Sequence, residues 1–99
     1  MTIEELQGHV RELSDAQGWH GTTPEERAMW LVTEVGELVR EVLRLPKTTD
    51  EAEIAGIRHN LGMEMYDVVW NLCDLANIVG VNLEEAFAEK VAINRGREW

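Results

Sequence analysis

The sequence predicts an all-α protein, a helical bundle of about four helices. Apolar residues recur at three- and four-residue spacing along most of the chain, which is the period of an amphipathic helix. Glycine or proline interrupts this pattern, and helix-capping residues precede the second, third and fourth runs. The 99 residues suffice for one domain, 1–99, with a modest core. We therefore expect further burial between subunits, in a homodimer or homotetramer.

The first two helices are bounded by short polar segments. The first helix carries one narrow apolar stripe that ends before Gly18 and Gly21, formed by Ile3, Leu6, Val10 and Leu13. The second helix begins after Thr23, the predicted N-cap, with Pro24 at its first position. It runs to about Leu45, where Pro46 stops it.

The third and fourth helices have similar boundaries. Residues 48–51 offer a capping box, and the third helix extends as far as Val79 with Gly80 as its C-cap. Gly56 and Gly62 indicate a break or kink, since each costs about 1 kcal/mol relative to alanine. Asn82 caps the fourth helix, which ends in the basic segment 90–97.

Charge and composition exclude several classes of protein. With 19 acidic and 9 basic residues the net charge is -10, which repels nucleic acids and anionic membranes. The single Cys73 excludes an intramolecular disulfide and suits a reducing compartment. No signal peptide or membrane-spanning run is visible. We expect a cytoplasmic protein with no nucleic-acid or membrane partner.

Two acidic motifs lie in otherwise apolar runs. Glu34 and Glu37 stand three residues apart, as do Glu64 and Asp67, so each pair projects from one side of its helix. If the two helices pack antiparallel, the four carboxylates converge and repel one another. A divalent cation relieves that repulsion, and oxygen ligands suit Mg²⁺, with Mn²⁺ as a substitute.

Helical phase places these carboxylates beside the apolar arcs, which in an amphipathic helix usually face the core. The arc residues of the second helix are Ala28, Leu31, Val35, Leu38, Val39 and Val42. Those of the third are Ile57, Leu61, Met65, Val68, Leu72 and Leu75. Along their border run two polar seams, one with Glu34, Glu37 and Glu41, and one with Asn60, Glu64, Asp67, Asn71 and Asp74. Spacing alone equally allows a solvated helix edge with salt bridges to Arg40 and Arg44.

A di-iron centre is not indicated, because no Glu-x-x-His pattern occurs. His9, His20 and His59 lie apart from the seams, and we interpret them as surface or capping residues.

The two acidic motifs match a known family. Residues 31–38 (LVTEVGEL) and 64–68 (EMYDV), followed by residues 75–86 and then Lys90, Asn94 and Arg95, make a specific combination. In these motifs the chain resembles the MazG-like nucleotide pyrophosphohydrolases of the all-α NTP pyrophosphatase superfamily. The match covers most of the chain. One departure is Thr33, where the family's first motif usually has Glu; relatives that hydrolyse deoxycytidine triphosphates also lack that Glu.

The resemblance implies an activity and a site. Such enzymes cleave the bond between the α- and β-phosphates of nucleoside triphosphates, releasing a monophosphate and pyrophosphate. Glu34, Glu37, Glu64 and Asp67 become the Mg²⁺ ligands, in a site that oligomerisation completes. Glu37 or Glu34 is the catalytic residue that handles the attacking water, with Glu37 preferred.

Further residues are candidates for binding the substrate. Lys90, Asn94 and Arg95 are placed to hold phosphates, although the two cations also suit a helix C-terminus. Trp19 and Trp30 are candidates for stacking on the base, although packing would also explain them.

Two alternative functions remain open. One is phosphoribosyl-ATP pyrophosphohydrolase, which cleaves the same type of bond within the same superfamily. The other is a non-catalytic acidic helical module that regulates a partner.

Overall fold

Four α-helices and one 3₁₀ turn form the protein in a computed structural model that describes residues 1–19 and 21–98. The helices are α1 (Ile3–Ala16), α2 (Pro24–Val42), α3 (Glu51–Val79) and α4 (Leu83–Arg95), and the 3₁₀ turn is Leu45–Lys47. No strand occurs in the described ranges, so the all-α prediction is confirmed. The interpretation of His20 concerns a position outside the described residues.

Side-chain caps begin the helices. Thr23 Oγ1 accepts a hydrogen bond from the Glu26 N–H at 3.1 Å, and Asn82 Oδ1 accepts one from the Glu85 N–H at 3.0 Å. Both predicted caps are therefore confirmed. Each bond satisfies a backbone donor that has no partner within the helix.

The boundaries of α2 and α3 differ slightly from the sequence expectation. The α-helical part of α2 ends at Val42 instead of Leu45, and the chain then tightens into the 3₁₀ turn around Pro46. The N-cap of α3 is Asp50, whose Oδ1 accepts from the Ala52 N–H at 3.4 Å. Thr48 instead supports the turn, since its hydroxyl donates to Glu53 Oε2 at 2.6 Å.

The expected break in α3 is wrong, because the helix is continuous for 29 residues. Gly56 and Gly62 lie on exposed positions, and a Cβ at either would meet nothing within 4 Å. Packing against α2 and α1 therefore outweighs the low helix propensity of the two glycines. Gly80 ends the helix with φ 77°, as predicted for a C-cap.

The bundle is arranged around α3. α2 packs along it most extensively, α1 packs on it, and α4 contacts α1. A small core cluster contains Val10, Trp70 and Cys73, with Leu6 and Leu83 against it. Burial raises the pKa of the Cys73 thiol, which behaves as a small apolar side chain. No helix in the described ranges combines the length and apolar character needed to cross a membrane.

Gln7 fastens α1 to the connection between α3 and α4. Its Nε2 donates to the Val81 carbonyl at 2.6 Å, and its Oε1 accepts from the Leu83 N–H at 3.1 Å. Asn77 Nδ2 donates to the Gln7 carbonyl at 3.1 Å. The buried amide thus satisfies backbone groups on both sides of the loop and sets where α4 begins.

Gly80→Ala should lower the free energy of unfolding by about 1–2 kcal/mol, because an L side chain is strained at positive φ. Gly96→Ala is the matched control, since Gly96 also ends a helix but has φ -90° and its Cβ would meet nothing closer than 3.8 Å. Urea unfolding followed by circular dichroism measures both variants. Equal stability of the two variants would contradict the strained cap.

Candidate metal centre

Three carboxylates meet where α2 packs against α3. Glu34 and Glu37, one turn apart on α2, and Glu64 on α3 each offer an oxygen, and these oxygens lie within 4.8 Å of one another. Asp67, one turn further along α3, is half-buried beside them. The structure thus brings Glu34, Glu37 and Glu64 together and places Asp67 next to them.

The electrostatics of the cluster are unfavourable without a cation. Burial raises the pKa of Glu34, and the charges of Glu37, Asp67 and Glu64 raise it further. The pKa of Glu64 is raised by burial and then by Glu37, Asp67 and Glu41. Each carboxyl is therefore harder to ionise in the folded protein than in the unfolded chain.

Two oxygens in the cluster fit a metal ligand. Glu34 Oε2 and Glu64 Oε2 are covered from solvent, and neither has a hydrogen-bond partner among the described residues. A covered carboxylate oxygen without a partner is costly, and a cation between the two helices would satisfy both. Because all the donors are carboxylate oxygens, the residues fit Mg²⁺ or Mn²⁺.

The alternative of a salt-bridged helix edge is not supported by the arginines. Arg44 pairs with Glu41 at 3.0 Å, one turn beyond the cluster. Across residues 1–19 and 21–98, neither Arg40 nor Arg44 has an ion pair with Glu34, Glu37 or Glu64. In the part of the chain that the structure describes, these three carboxylates therefore face one another without an ion pair to a basic side chain.

The apolar arcs are only partly covered within this chain. Val35 and Val39 of α2 are 41% and 48% exposed, and Met65 of α3 is 51% exposed. Half-buried residues of α2 come from both its arc and its seam, with Leu31 and Leu38 in the arc and Glu34 and Glu41 in the seam. The arc and the seam are therefore both partly covered where α2 packs against α3.

A buried ion pair between α2 and α3 escaped the sequence analysis. Arg27 Nε lies 2.8 Å from Asp74 Oδ2, and the side chains are only 10% and 4% exposed. The contact is ionic, since the N–H is not aligned for a hydrogen bond. Arg27 near the start of α2 thus meets Asp74 near the end of α3, so the two helices are antiparallel.

Further bonds connect this pair to the cluster. Arg27 Nη1 donates to Asn71 Oδ1 at 2.9 Å, and Asn71 Nδ2 donates to the Asp67 carbonyl at 2.8 Å. The Arg27 guanidinium also lies 5.2 Å from the centre of the Trp70 ring. The sequence carries a signal for this ion pair. Arg27 stands two helical turns before Glu34 and Asp74 two turns after Asp67, so antiparallel helices that bring Glu34 near Asp67 also bring Arg27 near Asp74.

The two candidate base-stacking tryptophans lie near the ion pair. Trp19 meets Trp70 edge to face, with ring centres 5.8 Å apart and an interplanar angle of 84°. A cavity of about 340 Å³ is lined by Trp19, Thr22, Glu26, Arg27 and Trp30. Trp30 is 58% exposed and precedes Glu34 by one turn.

The basic end of the chain is not brought to the carboxylates. Helix α4, which carries Lys90, Asn94 and Arg95, packs on α1. Lys90 and Arg95 are exposed, and Asn94 is half-buried with a covered Oδ1 that has no described hydrogen bond. Their phosphate-binding role stays a prediction that depends on the expected oligomer.

A four-helix protein whose antiparallel helices converge through acidic i, i+3 pairs has the architecture expected of an all-α nucleotide hydrolase. Residues 22–98 match the family model described as the MazG nucleotide pyrophosphohydrolase domain, and the chain belongs to that family. It is therefore an enzyme, a nucleotide pyrophosphohydrolase, and the resemblance found in its motifs is confirmed.

Two relatives support this assignment. Over 98 residues the chain is 30% identical to a Cyanophage S-2L protein named dATP/dGTP diphosphohydrolase, covering 99% of this chain and 78% of the phage protein. Over 90 residues it is 31% identical to YvdC of Bacillus subtilis (strain 168), an uncharacterized protein. That alignment covers 86% of this chain and 85% of YvdC.

Glu64→Gln should stabilise the metal-free protein more at about pH 7.5 than at about pH 5. The folded-state pKa of Glu64 lies above its ordinary 4.5, so the repulsion is fully present above that raised value. As the pH falls through it, the folded protein takes up the proton first and the repulsion is relieved. Melting temperatures in chelated buffer measure this, with Glu25→Gln as an exposed control. If the difference in melting temperature between Glu64→Gln and the wild type did not vary with pH, the proposed repulsion at Glu64 would be contradicted.

Arg27→Met or Asp74→Leu alone should lower the free energy of unfolding by about 3–5 kcal/mol, because each leaves one buried charge unpaired. The double variant should be less destabilised than either single one, since it leaves no buried charge. Urea unfolding of the wild type, the two single variants and the double variant gives the four free energies of this double-mutant cycle. Additive losses in the double variant would show that the two side chains do not act as a pair.

Proposed function

We propose that this enzyme hydrolyses nucleoside triphosphates with Mg²⁺, or Mn²⁺ in its place, to a nucleoside monophosphate and pyrophosphate. The observation that carries the proposal is the group of three carboxylate oxygens within 4.8 Å. Two members of the group, Glu34 and Glu64, each have a covered oxygen that finds no hydrogen-bond partner among the described residues. The family description and the phage relative's name agree with this type of reaction.

Glu34, Glu37, Glu64 and Asp67 would hold the ion. When bound, Mg²⁺ supplies positive charge that neutralises the phosphate oxygens. Thr33 carries a hydroxyl where the family motif has Glu, and this hydroxyl donates to the Met29 carbonyl at 3.2 Å within α2. The proposed ligands are the carboxylates of the two i, i+3 pairs.

Glu37 is the residue best placed to handle the attacking water. It is exposed, whereas Glu34 and Glu64 are half-buried and directed into the helix contact. In the proposed step Glu37 takes a proton from a water molecule, and the oxygen of that water bonds to the α-phosphorus. The bond from the α-phosphorus to the bridging oxygen breaks, its electron pair stays on that oxygen, and pyrophosphate leaves.

The remaining parts of the substrate have separate candidates. Trp19 and Trp30 line one cavity and would stack on the base, and Trp30 stands one helical turn before Glu34. Lys90, Asn94 and Arg95 would hold phosphates in a homodimer or homotetramer. Exposed apolar side chains on α2 and α3, such as Val39 and Met65, support such an assembly.

Pyrophosphate release from a panel of nucleoside triphosphates should require a divalent cation and stop on chelation. Glu37→Gln should lower kcat by about 100-fold or more without lowering the melting temperature, because it removes a proton acceptor and one repelling charge. Glu25→Gln is the control, an exposed carboxylate on the same helix that lies away from the cluster.

The panel should include dATP, dGTP, the pyrimidine triphosphates and phosphoribosyl-ATP. Orthophosphate instead of pyrophosphate as the product, or turnover undiminished after chelation, would overturn the proposal. Full activity of Glu37→Gln would be compatible with the proposed reaction, but it would overturn the role of Glu37 as the acceptor of the water proton.

A further inference from the structure

Two cavities beside α2 share two residues. The cavity of about 340 Å³ that contains Trp19 is lined by both Glu26 and Trp30. A second cavity, of about 350 Å³, is lined by the same two residues together with Met29 and Thr33. Each cavity therefore has an aromatic ring and a carboxylate in its lining. Such a combination suits a site in which a flat heterocycle stacks on the ring and donates hydrogen bonds to the carboxylate.

Along α2 these residues lead to the carboxylate cluster. Glu26, Trp30 and Glu34 follow one another at intervals of four, so they form one strip on the helix surface. With a rise of 1.5 Å per residue, Glu26 is about 12 Å from Glu34 along the helix axis. An extended nucleoside triphosphate has a similar length between the edge of its base and its phosphates. One substrate molecule can therefore lie along this strip, with the base at Glu26.

The Glu26 carboxylate is the uncommitted acceptor of the first cavity. The Thr22 hydroxyl donates to the Trp19 carbonyl at 3.3 Å, and Arg27 is held by Asp74 and Asn71. For Glu26, the described contacts include a bond from its backbone N–H but none to its carboxylate oxygens. An ionised carboxylate accepts hydrogen bonds at both oxygens and donates none.

The bases differ in the hydrogen-bond donors and acceptors that they present to a carboxylate. Guanine presents two neighbouring N–H donors, N1–H and the 2-amino group, which match the two oxygens of one carboxylate. Adenine and cytosine present a donor beside an acceptor, and uracil and thymine present one N–H between two carbonyls. We infer that Glu26 selects the base of the substrate and favours guanine. This inference rests on the proposed function and adds to it the identity of the base.

Changes to the protein and to the substrate test the same pair of hydrogen bonds. The wild-type kcat/KM should be higher for dGTP than for dATP, and higher for dGTP than for dITP, which lacks the 2-amino group. Glu26→Gln should reduce the dGTP-to-dATP ratio about tenfold or more, because its amide offers one donor and one acceptor and so matches adenine. In this variant dGTP and dITP should become similar.

Glu25→Gln is the matched control, since it removes the same charge from the same helical turn but lines neither cavity. Its dGTP-to-dATP ratio should equal that of the wild type. An equal change in both variants would assign the effect to charge and overturn the role of Glu26. Melting temperatures show whether each variant remains folded.

Failure of this inference is distinguishable from failure of the proposed function. Turnover by the wild type with an unchanged ratio in Glu26→Gln would overturn base selection alone. Absence of pyrophosphate release from every nucleotide would overturn the proposed function. Calorimetric binding of dGMP and dIMP then still decides the role of Glu26, because equal affinities for the two would overturn it without any need for turnover.

Discussion

The ion pair between Arg27 and Asp74 joins α2 to α3 at a place where helix pairs more often use apolar contacts. Burying two charges costs about as much as their attraction returns, so such a pair adds little to net stability. It does penalise any other alignment, because a shift of one helix along the other would leave both charges buried and unpaired. The pair therefore sets the register of the two antiparallel helices. The bonds from Arg27 to Asn71 and from Asn71 to the Asp67 carbonyl extend that constraint toward the carboxylates.

The carboxylate cluster needs such a constraint because its members repel one another. Burial and then charge repulsion raise the pKa of both Glu34 and Glu64, so relaxation of the helix pair would separate these groups. The Arg27–Asp74 pair lies two helical turns, about 10 Å, from the carboxylate cluster along the helices. It therefore holds the two backbones in register without neutralising the cluster. The cluster keeps its negative charge, which would attract a cation, and the repulsion among its carboxylates lowers the stability of the metal-free protein. Stability and affinity for metal are consequently opposed in the same residues.

Local signals in the sequence were sufficient for most of the fold. Thr23 and Asn82 cap helices as predicted, because capping depends on a few neighbouring residues. The break expected near Gly56 is wrong, since contacts with other helices override local propensity. Spacing placed the carboxylates on facing helices but did not reveal Arg27, whose importance depends on which residue α3 sets opposite it. For the same reason spacing does not show that Val39 of the apolar arc stays 48% exposed within the chain.

The two helices divide the proposed work unequally. Helix α2 carries the strip from Glu26 through Trp30 to Glu34, so the distance from base to phosphate is set by one rigid element and does not depend on packing. Helix α3 contributes Glu64 and Asp67, whose positions relative to α2 depend on the register pair. A shift in register would therefore disturb the holding of metal, while Glu26 and Trp30 would keep their distances from Glu34 because all three lie on α2. Base preference and metal affinity can accordingly change independently in this fold, the first through residues of α2 and the second through the contact between α2 and α3.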